Sequence, residues 1–106
     1  QKVVFVDVTA AWCLTCKVNE LAVLDRAPVA DRLRAPGVVT MRADWTRPDP
    51  AITAYLQSFG RYGVPLDVVY GPDAPEGIAL PELLTQDAVT DAFRHAGAAR
   101  RQEAVQ

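Results

Sequence analysis

The only two cysteines of the chain, Cys13 and Cys16, stand two residues apart in the segment TAAWCLTCKVNE. Thiols at this spacing serve three kinds of chemistry: they ligate zinc, close a structural disulfide, or exchange electrons as a redox pair. The motif alone fits all three, so the surrounding sequence has to distinguish between them.

A structural zinc site needs four ligands arranged as a tetrahedron. Beyond its two cysteines the chain has a single histidine, His95, far along the sequence, so zinc would need carboxylates or a second chain. A purely structural disulfide would close a very short loop, and the entropic stabilisation by a disulfide grows with loop length. The redox pair is favoured, because the motif follows an apolar strand and opens a helix.

The two thiols are expected to have different roles. Unpaired N–H groups and the helix dipole stabilise an anion at the start of a helix. We therefore expect Cys13 to be the exposed thiol that attacks a partner's disulfide. Cys16 lies one turn deeper and would resolve the mixed disulfide, which releases the partner.

Hydrophobic periodicity predicts four strands and three helices in the order β-α-β-α-β-β-α. Strands are expected over residues 3–8, 38–43, 64–70 and 78–80, and helices over 14–24, from 50 to about 60, and from 86 onward. A further helical turn is expected over 30–33. The fold class is therefore α/β, with one four-stranded mixed sheet flanked by helices on both faces.

The helices carry recognisable end signals and apolar stripes. Asp49, followed by Pro50, and Thr85 are the expected N-caps, and Pro28 should end or kink the first helix. The predicted buried positions are Val18, Leu21 and Leu24 in the first helix and Val89, Ala92, Phe93 and Ala96 in the last.

Length and charge exclude several classes of function. The 106 residues suit one domain, expected over 1–96, with residues 97–106 as a loosely ordered tail. The net charge of -2 and the absence of a basic stripe argue against nucleic acid as a partner. No apolar run is long enough to span a membrane. The first strand begins almost at once, which suggests a piece of a longer protein.

Four segments resemble one family in the same order: TAAWCLTCKVNE, MRADWTRPDPAI, FGRYGVPLDVVYGP and LPELLT. They are similar to the C-terminal periplasmic domain of the DsbD-type transmembrane thiol–disulfide reductases and their ScsB-like relatives, in the thioredoxin superfamily. The similarity runs from residue 3 to about residue 93. Two features differ: the family's N-terminal extension is largely absent, and Leu14-Thr15 replaces the Gly-Pro of ordinary thioredoxins.

The resemblance implies a thioredoxin fold and roles for several residues. Pro65 would follow a cis peptide bond and pack against the disulfide, and the backbone of Val64 would lie where an incoming peptide can pair with it. Trp12, Leu14, Thr15 and Val64 would form the partner-binding surface.

Two acids match family positions near the cysteines: Asp7, the one charge in the first apolar run, and Glu20, about two helical turns after Cys13. Each has an ordinary alternative, as a solvated position on a strand edge or a helix surface. Near the thiols, they would act as proton acceptors, and their charge would oppose a Cys13 thiolate more than the helix dipole favours it. Cys13 is then expected to be a quiet thiol until a partner changes its surroundings.

The resemblance implies an enzyme, a protein-disulfide reductase that uses its cysteine pair and no cofactor or metal. Its partners would be the transmembrane and N-terminal domains of the same protein and other periplasmic thiol–disulfide proteins. The domain would lie at the periplasmic face of the bacterial inner membrane and be monomeric when isolated. The alternatives are a free-standing periplasmic thioredoxin-like reductase, for example in cytochrome maturation, and a redox-inert binding module, which the intact motif and Pro65 disfavour.

Overall fold

The computed structural model describes residues 2–97, in which one four-stranded mixed sheet carries helices on both faces. The strands are β1 (Val3–Thr9), β2 (Val38–Asp44), β3 (Leu66–Gly71) and β4 (Ala74–Ala79), in the order β2-β1-β3-β4. β1 and β2 are parallel, and the other two pairings are antiparallel. The predicted fold class and element order are confirmed.

The helices are α1 (Leu14–Asn19), α2 (Val29–Leu33), α3 (Pro50–Ser58) and α4 (Gln86–Ala96). α1 continues directly into a π-helical turn, Glu20–Leu24, so the helical segment spans the predicted residues. No helix among residues 2–97 is both long and apolar enough to cross a membrane. The tail expected over residues 97–106 lies outside the described residues, apart from Gly97.

Side chains alternate across β1 and β3, so each strand contributes to two separate cores. On one face, here called the α1 face, Val3, Phe5 and Val69 pack with residues of the π-helical turn that continues α1, of α2 and of α4. The rings of Phe5 and Phe93 lie 6.3 Å apart. On the α3 face, Val8, Leu66 and Val68 pack against Leu56 of α3. The sheet is therefore buried on both sides.

The predicted N-caps are confirmed. The Asp49 carboxylate accepts hydrogen bonds from the N–H groups of Ala51 and Ile52, at 2.9 and 3.1 Å. The Thr85 hydroxyl accepts one from the N–H of Ala88, at 3.0 Å. These bonds satisfy N–H groups that would otherwise be unpaired at the helix starts. All four predicted α4 core positions are buried: Val89, Ala92, Phe93 and Ala96.

The stripe predicted for the first helix is wrong for two of its three residues. Val18 and Leu21 are exposed, and only Leu24 is buried. The buried side passes instead through Cys16, Asn19 and Val23.

One residue on that buried side, Asn19, is polar. It is tolerated there because its amide nitrogen and its amide oxygen each form a hydrogen bond. Its Nδ2 donates to the carbonyl of Glu82 at 2.8 Å, and its Oδ1 accepts from the N–H of Leu84 at 3.0 Å. A buried amide with both functions paired avoids the cost of desolvation. Asn19 therefore fixes α1 to the segment between β4 and α4, a contact that hydrophobic periodicity alone does not indicate.

Candidate active site

The two cysteines form a disulfide at the start of α1, with Cα atoms 5.3 Å apart. Cys13 is the N-cap of α1, and the N–H of Cys16 donates to its sulfur at 3.1 Å. The predicted position at a helix start is confirmed. Cys13 was expected to be exposed, but in the disulfide it is 6% exposed and Cys16 is 3% exposed. The difference in exposure between the two cysteines is therefore small in this oxidised state.

Residues from two separate segments of the chain cover the cysteine pair. Ala10, which is buried, and Val64, which is partly buried, pack against the pair. The Val64–Pro65 peptide bond is cis, as the family resemblance implies. The guanidinium of Arg61 fixes the next part of this segment, donating to the carbonyls of Pro65 at 3.1 Å and Leu80 at 2.7 Å. The fold thus brings Val64 against the cysteine pair, with Pro65 next to it in the chain.

Exposed side chains of apolar character surround the enclosed disulfide. Trp12 is 60% exposed, Leu14 78% and Tyr62 85%. Thr15, inside the motif, is partly buried. Exposed aromatic and aliphatic groups beside a concealed reactive bond are suited to contact with another protein.

The loop that holds Trp12 is tied to the segment after β2. The indole N–H of Trp12 donates to the carbonyl of Thr46 at 3.0 Å, and the Thr46 hydroxyl accepts from the N–H of Ala11 at 2.8 Å. Asp44 in turn accepts from the backbone N–H and the hydroxyl of Thr46, which lowers the pKa of Asp44 below its ordinary value. The rings of Trp12 and Trp45 lie 6.2 Å apart. This network holds the loop before Cys13 in position.

On the α1 face of the sheet, three neighbouring strands each place one charged residue in a single row. Asp7 of β1 is paired in register with Arg42 of β2 and with Asp67 of β3. Asp7 and Asp67 are buried, at 6% and 1% exposed, whereas the side chain of Arg42 is 61% exposed. The alternative in which Asp7 is a solvated edge residue is therefore wrong.

Arg42 joins the two acids that the sequence singled out. Its Nε lies 3.6 Å from Oδ2 of Asp7, and its Nη2 lies 3.7 Å from Oε2 of Glu20. Within residues 2–97, neither acid forms a hydrogen bond with a cysteine sulfur. The structure thus groups Asp7 and Glu20 around a shared cation.

Asp67, like Arg42, is a residue of this row that sequence reasoning missed. Burial raises its pKa to about 9, with further contributions from a hydrogen bond to Asp7 and from the charge of Asp7. Its Oδ1 has no hydrogen-bond partner among the described residues. The available signal was the run VPLDVVY, in which Asp67 is the one charge, just as Asp7 is in VVFVDV.

Comparison with known proteins places this geometry in a family. A family model described as thioredoxin-like matches residues 1–72. The chain belongs to the thioredoxin-like family. Its cysteine pair, placed before a helix and closed as a disulfide, makes this thioredoxin-like chain a thiol–disulfide oxidoreductase domain.

Individual relatives agree with this assignment. The thioredoxin-like chain is 35% identical over 101 residues to the thiol:disulfide interchange protein DsbD 1 of Pseudomonas aeruginosa, covering 95% of this chain and 17% of that protein. It matches the oxidised C-terminal domain of DsbD from Neisseria meningitidis at 23% identity and a TM-score of 0.71, covering 90% of this chain and 80% of that one. Chloroplastic thioredoxin z matches at 19% identity and a TM-score of 0.65, covering 92% and 80%. The predicted thioredoxin fold is confirmed.

The same two cysteines could in principle supply half of the ligands of a zinc site. Residues 2–97 of this thioredoxin-like chain contain no group of three or more His, Cys, Asp or Glu side chains that could hold a metal ion. The described residues therefore offer no cluster in which the cysteine pair would serve as half of a zinc site.

Proposed function

We propose that this domain is the relay module of a DsbD-type reductase. It would take electrons from a transmembrane domain of its own protein and pass them to disulfides of periplasmic partners. One of these partners would be the N-terminal domain of the same protein. The observation that carries the proposal is the 35% identity to DsbD 1 of Pseudomonas aeruginosa over 95% of the chain. That stretch contains the cysteine pair. The chain spans 17% of that relative's length, so the remaining parts of the relay would lie on other segments.

The exchange would proceed in two balanced steps. The Cys13 thiolate attacks one sulfur of the partner's disulfide; a Cys13–partner bond forms, and the partner's other sulfur leaves as a thiolate that takes up a proton. The Cys16 thiol then loses its proton, and its sulfur attacks Cys13, which forms the Cys13–Cys16 disulfide and releases the partner's second thiolate. The domain loses two electrons and the partner's disulfide gains them.

The partner surface would be the rim around the motif: Trp12, Leu14, Thr15 and Val64. Trp12 and Leu14 are the exposed members, and Val64 packs directly against the cysteines. A partner that covers this rim removes water from the disulfide, and the lower dielectric then strengthens every charge interaction within the site.

Asp7 and Glu20 are proposed as acids that control the thiols, with an addition that the sequence did not indicate. Arg42 lies within 3.7 Å of both carboxylates, so it offsets part of their negative charge. Because its side chain is 61% exposed, this compensation is partly screened by solvent. Repulsion of a Cys13 thiolate is accordingly weaker than two uncompensated carboxylates would produce.

Trapping of mixed disulfides tests the exchange chemistry. Cys16→Ser should accumulate a mixed disulfide through Cys13 with an oxidised partner domain, because the resolving thiol is gone. Cys13→Ser is the matched control and should trap little. Equal trapping by both variants, or faster alkylation of Cys16 than of Cys13 in the reduced protein, would contradict the assigned roles.

A second experiment tests the relay. The full-length gene product is placed in membrane vesicles with reduced thioredoxin on the cytoplasmic side, and the redox state of Cys13 and Cys16 is followed by alkylation and mass spectrometry. Reduction that depends on cysteines of a transmembrane domain supports the relay. A full-length product with a signal peptide and no transmembrane domain would instead support the free-standing periplasmic reductase.

A further inference from the structure

The buried acid on β3 is not explained by packing or by the family resemblance. Asp67 is 1% exposed and is the antiparallel register partner of Asp7. Two carboxylates held side by side away from water cannot both remain charged without a large cost, because each charge is poorly solvated and repels the other. Such a pair shares one proton, as carboxyl dyads do.

The contacts of the two acids distinguish which one holds the proton. Asp7 lies 3.6 Å from the guanidinium of Arg42, an arrangement that favours a charged carboxylate. Asp67 forms no ion pair among the described residues, and its Oδ1 has no hydrogen-bond partner there. Because Asp67 lies opposite Asp7 in the strand register, a protonated Asp67 would be placed to donate a hydrogen bond from its other oxygen to the Asp7 carboxylate.

We infer that Asp67 is a positioning residue of the exchange site: as a neutral acid it donates a hydrogen bond to the Asp7 carboxylate, and the two together act as one proton acceptor for the Cys16 thiol. The inference rests on the proposed function, because it specifies how the resolving step of that exchange loses its proton. Asp7 would itself accept the proton of the Cys16 thiol, and Asp67 would act only through its hydrogen bond to Asp7.

The charge balance of this step is simple. Before the resolving step the pair carries one negative charge, as Asp67-COOH and Asp7-COO⁻. When the Cys16 thiol gives its proton to Asp7, the pair becomes neutral and the Cys16 thiolate attacks Cys13. The proton then leaves to water, and the partner's released thiolate takes up a proton from water. No oxidant is needed beyond the partner's disulfide.

A route for that proton exists on one side of the pair. A cleft of about 270 Å³ is lined by Asp7, among others, and Asp67 does not line it. The space admits water, and polar walls retain it. Asp67 would therefore keep its own proton while Asp7 accepts a proton from Cys16 and then releases it to water.

Other charges face this pair from the surrounding elements and contribute to its titration. Burial and the Asp7 carboxylate favour neutral Asp67, whereas the two nearest arginines oppose this. The groups concerned are Arg42 of β2, Arg61 before β3, Glu20 of the π-helical turn, and Asp25 and Arg34 at the cleft.

The protonation state is tested directly on the 106-residue chain in its disulfide form. Its aspartates are labelled with ¹³C at the side-chain carboxyl, and Asp67→Asn assigns the signal of Asp67. That signal is expected to be that of a neutral acid at pH 7 and to move to the ionised position only near pH 9, in line with a pKa of about 9. An ionised Asp67 at pH 7 would overturn the dyad.

The kinetic role is tested by reacting the reduced chain with an excess of 5,5′-dithiobis(2-nitrobenzoate). Attack by Cys13 releases the first coloured thiolate, and resolution by Cys16 releases the second, so the two steps appear as separate phases. Asp67→Val, which keeps a strand-forming side chain but has no donor, should slow the second phase about tenfold, a loss typical of removing a hydrogen bond to a charged group. The first phase should change far less.

Two comparison variants separate this role from a structural one. Asp67→Asn retains an N–H donor toward Asp7 and should recover most of the second-phase rate lost in Asp67→Val. Val69→Ala truncates a buried side chain on the same strand face and should leave the ratio of the two phases unchanged. A second phase slowed equally by Asp67→Asn and Asp67→Val, or slowed by Val69→Ala, would overturn the positioning role.

The proposed function and this inference fail in different ways. If the reduced wild-type chain releases no second thiolate, resolution by Cys16 fails, and with it both proposals. If both phases occur but the Asp67 signal is ionised at pH 7, the exchange chemistry stands and the dyad is wrong. The carboxyl signal is read on the unmodified chain, so the inference can be contradicted even if Asp67→Val does not fold.

Discussion

The two faces of the sheet use the same strands in different ways. On the α3 face, β1 and β3 contribute Val8, Leu66 and Val68, and the contacts are almost entirely apolar. On the α1 face, the residues next to these along the strands include Asp7 and Asp67, both buried. Strand alternation therefore separates a face that is almost entirely apolar from a face that also carries a buried pair of acids.

The buried acids of the α1 face lower the stability of the fold compared with apolar residues at the same positions. An apolar residue at position 67 would pack without cost, whereas a buried acid must be neutralised or paired. The fold tolerates the acid because apolar clusters fill most of the opposite face and the α4 side of the same face. The comparison predicts that changes on the α3 face alter stability alone, and that changes in the charged row alter exchange or its pH dependence.

The largest expected effect on stability comes from the α3 face. Leu56 is 1% exposed at the centre of that core, so Leu56→Ala should lower the free energy of unfolding by about 2–5 kcal/mol through lost transfer energy and a residual cavity. Urea denaturation measures this. The two-phase exchange kinetics of the folded variant should equal those of the wild type. If the folded Leu56→Ala variant exchanged thiols at altered rates, the α3 face would not act on stability alone.

The next effect is a pH dependence that belongs to Asp67. In the unfolded chain this group ionises near its ordinary value of 3.8, and in the folded chain near about 9. Between these values the folded state binds the extra proton. Stability is therefore fully present at low pH and falls as pH rises through this window, until the folded group ionises.

Asp67→Asn should remove this slope. The difference in unfolding free energy between wild type and variant, measured by denaturation from pH 5 to pH 9, should shift steadily in favour of the variant. Asp49→Asn is a suitable control, because it alters a partly buried helix cap on another element and keeps a capping side chain. Parallel curves for wild type and Asp67→Asn would mean that Asp67 is already ionised in the folded protein.

Much of the fold was predictable because its signals are local. Asp49 and Thr85 are capping residues beside clear helical patterns, and the α4 stripe follows one face of a helix. The burial of Val18 and Leu21 was predicted wrongly, because apolar spacing does not reveal that Asn19 is paired with a distant segment. Local pattern is informative only where no long-range polar contact competes with it.

The candidate site was predictable only in part for a similar reason. Cys13, Cys16 and Pro65 follow from a motif and a family resemblance. Arg42 and Asp67 become neighbours of Asp7 only through strand register, and a shift by one residue would place them on the opposite face. Nothing in a single sequence fixes that register before the sheet is assembled, although a lone charge in an apolar strand is a reason to look for its partner.

The smallest expected effect concerns the charges around Cys13. Asp7→Asn and Glu20→Gln each remove a negative charge, so a larger share of Cys13 in the reduced protein should be thiolate and iodoacetamide should alkylate it faster near neutral pH. The gain should be only a few-fold, because Arg42 lies beside both acids and solvent screens the exposed part of this cluster. The double variant should be faster still but less than the product of the two, because both acids lie beside the same arginine and their effects are not independent. Arg42→Gln leaves the acids uncompensated and should slow alkylation, which a purely structural role for the cluster does not predict. If the pH profiles of both single acid variants overlay that of the wild type, the acids are not coupled to Cys13, and the charged row acts on Cys16 alone or only on stability.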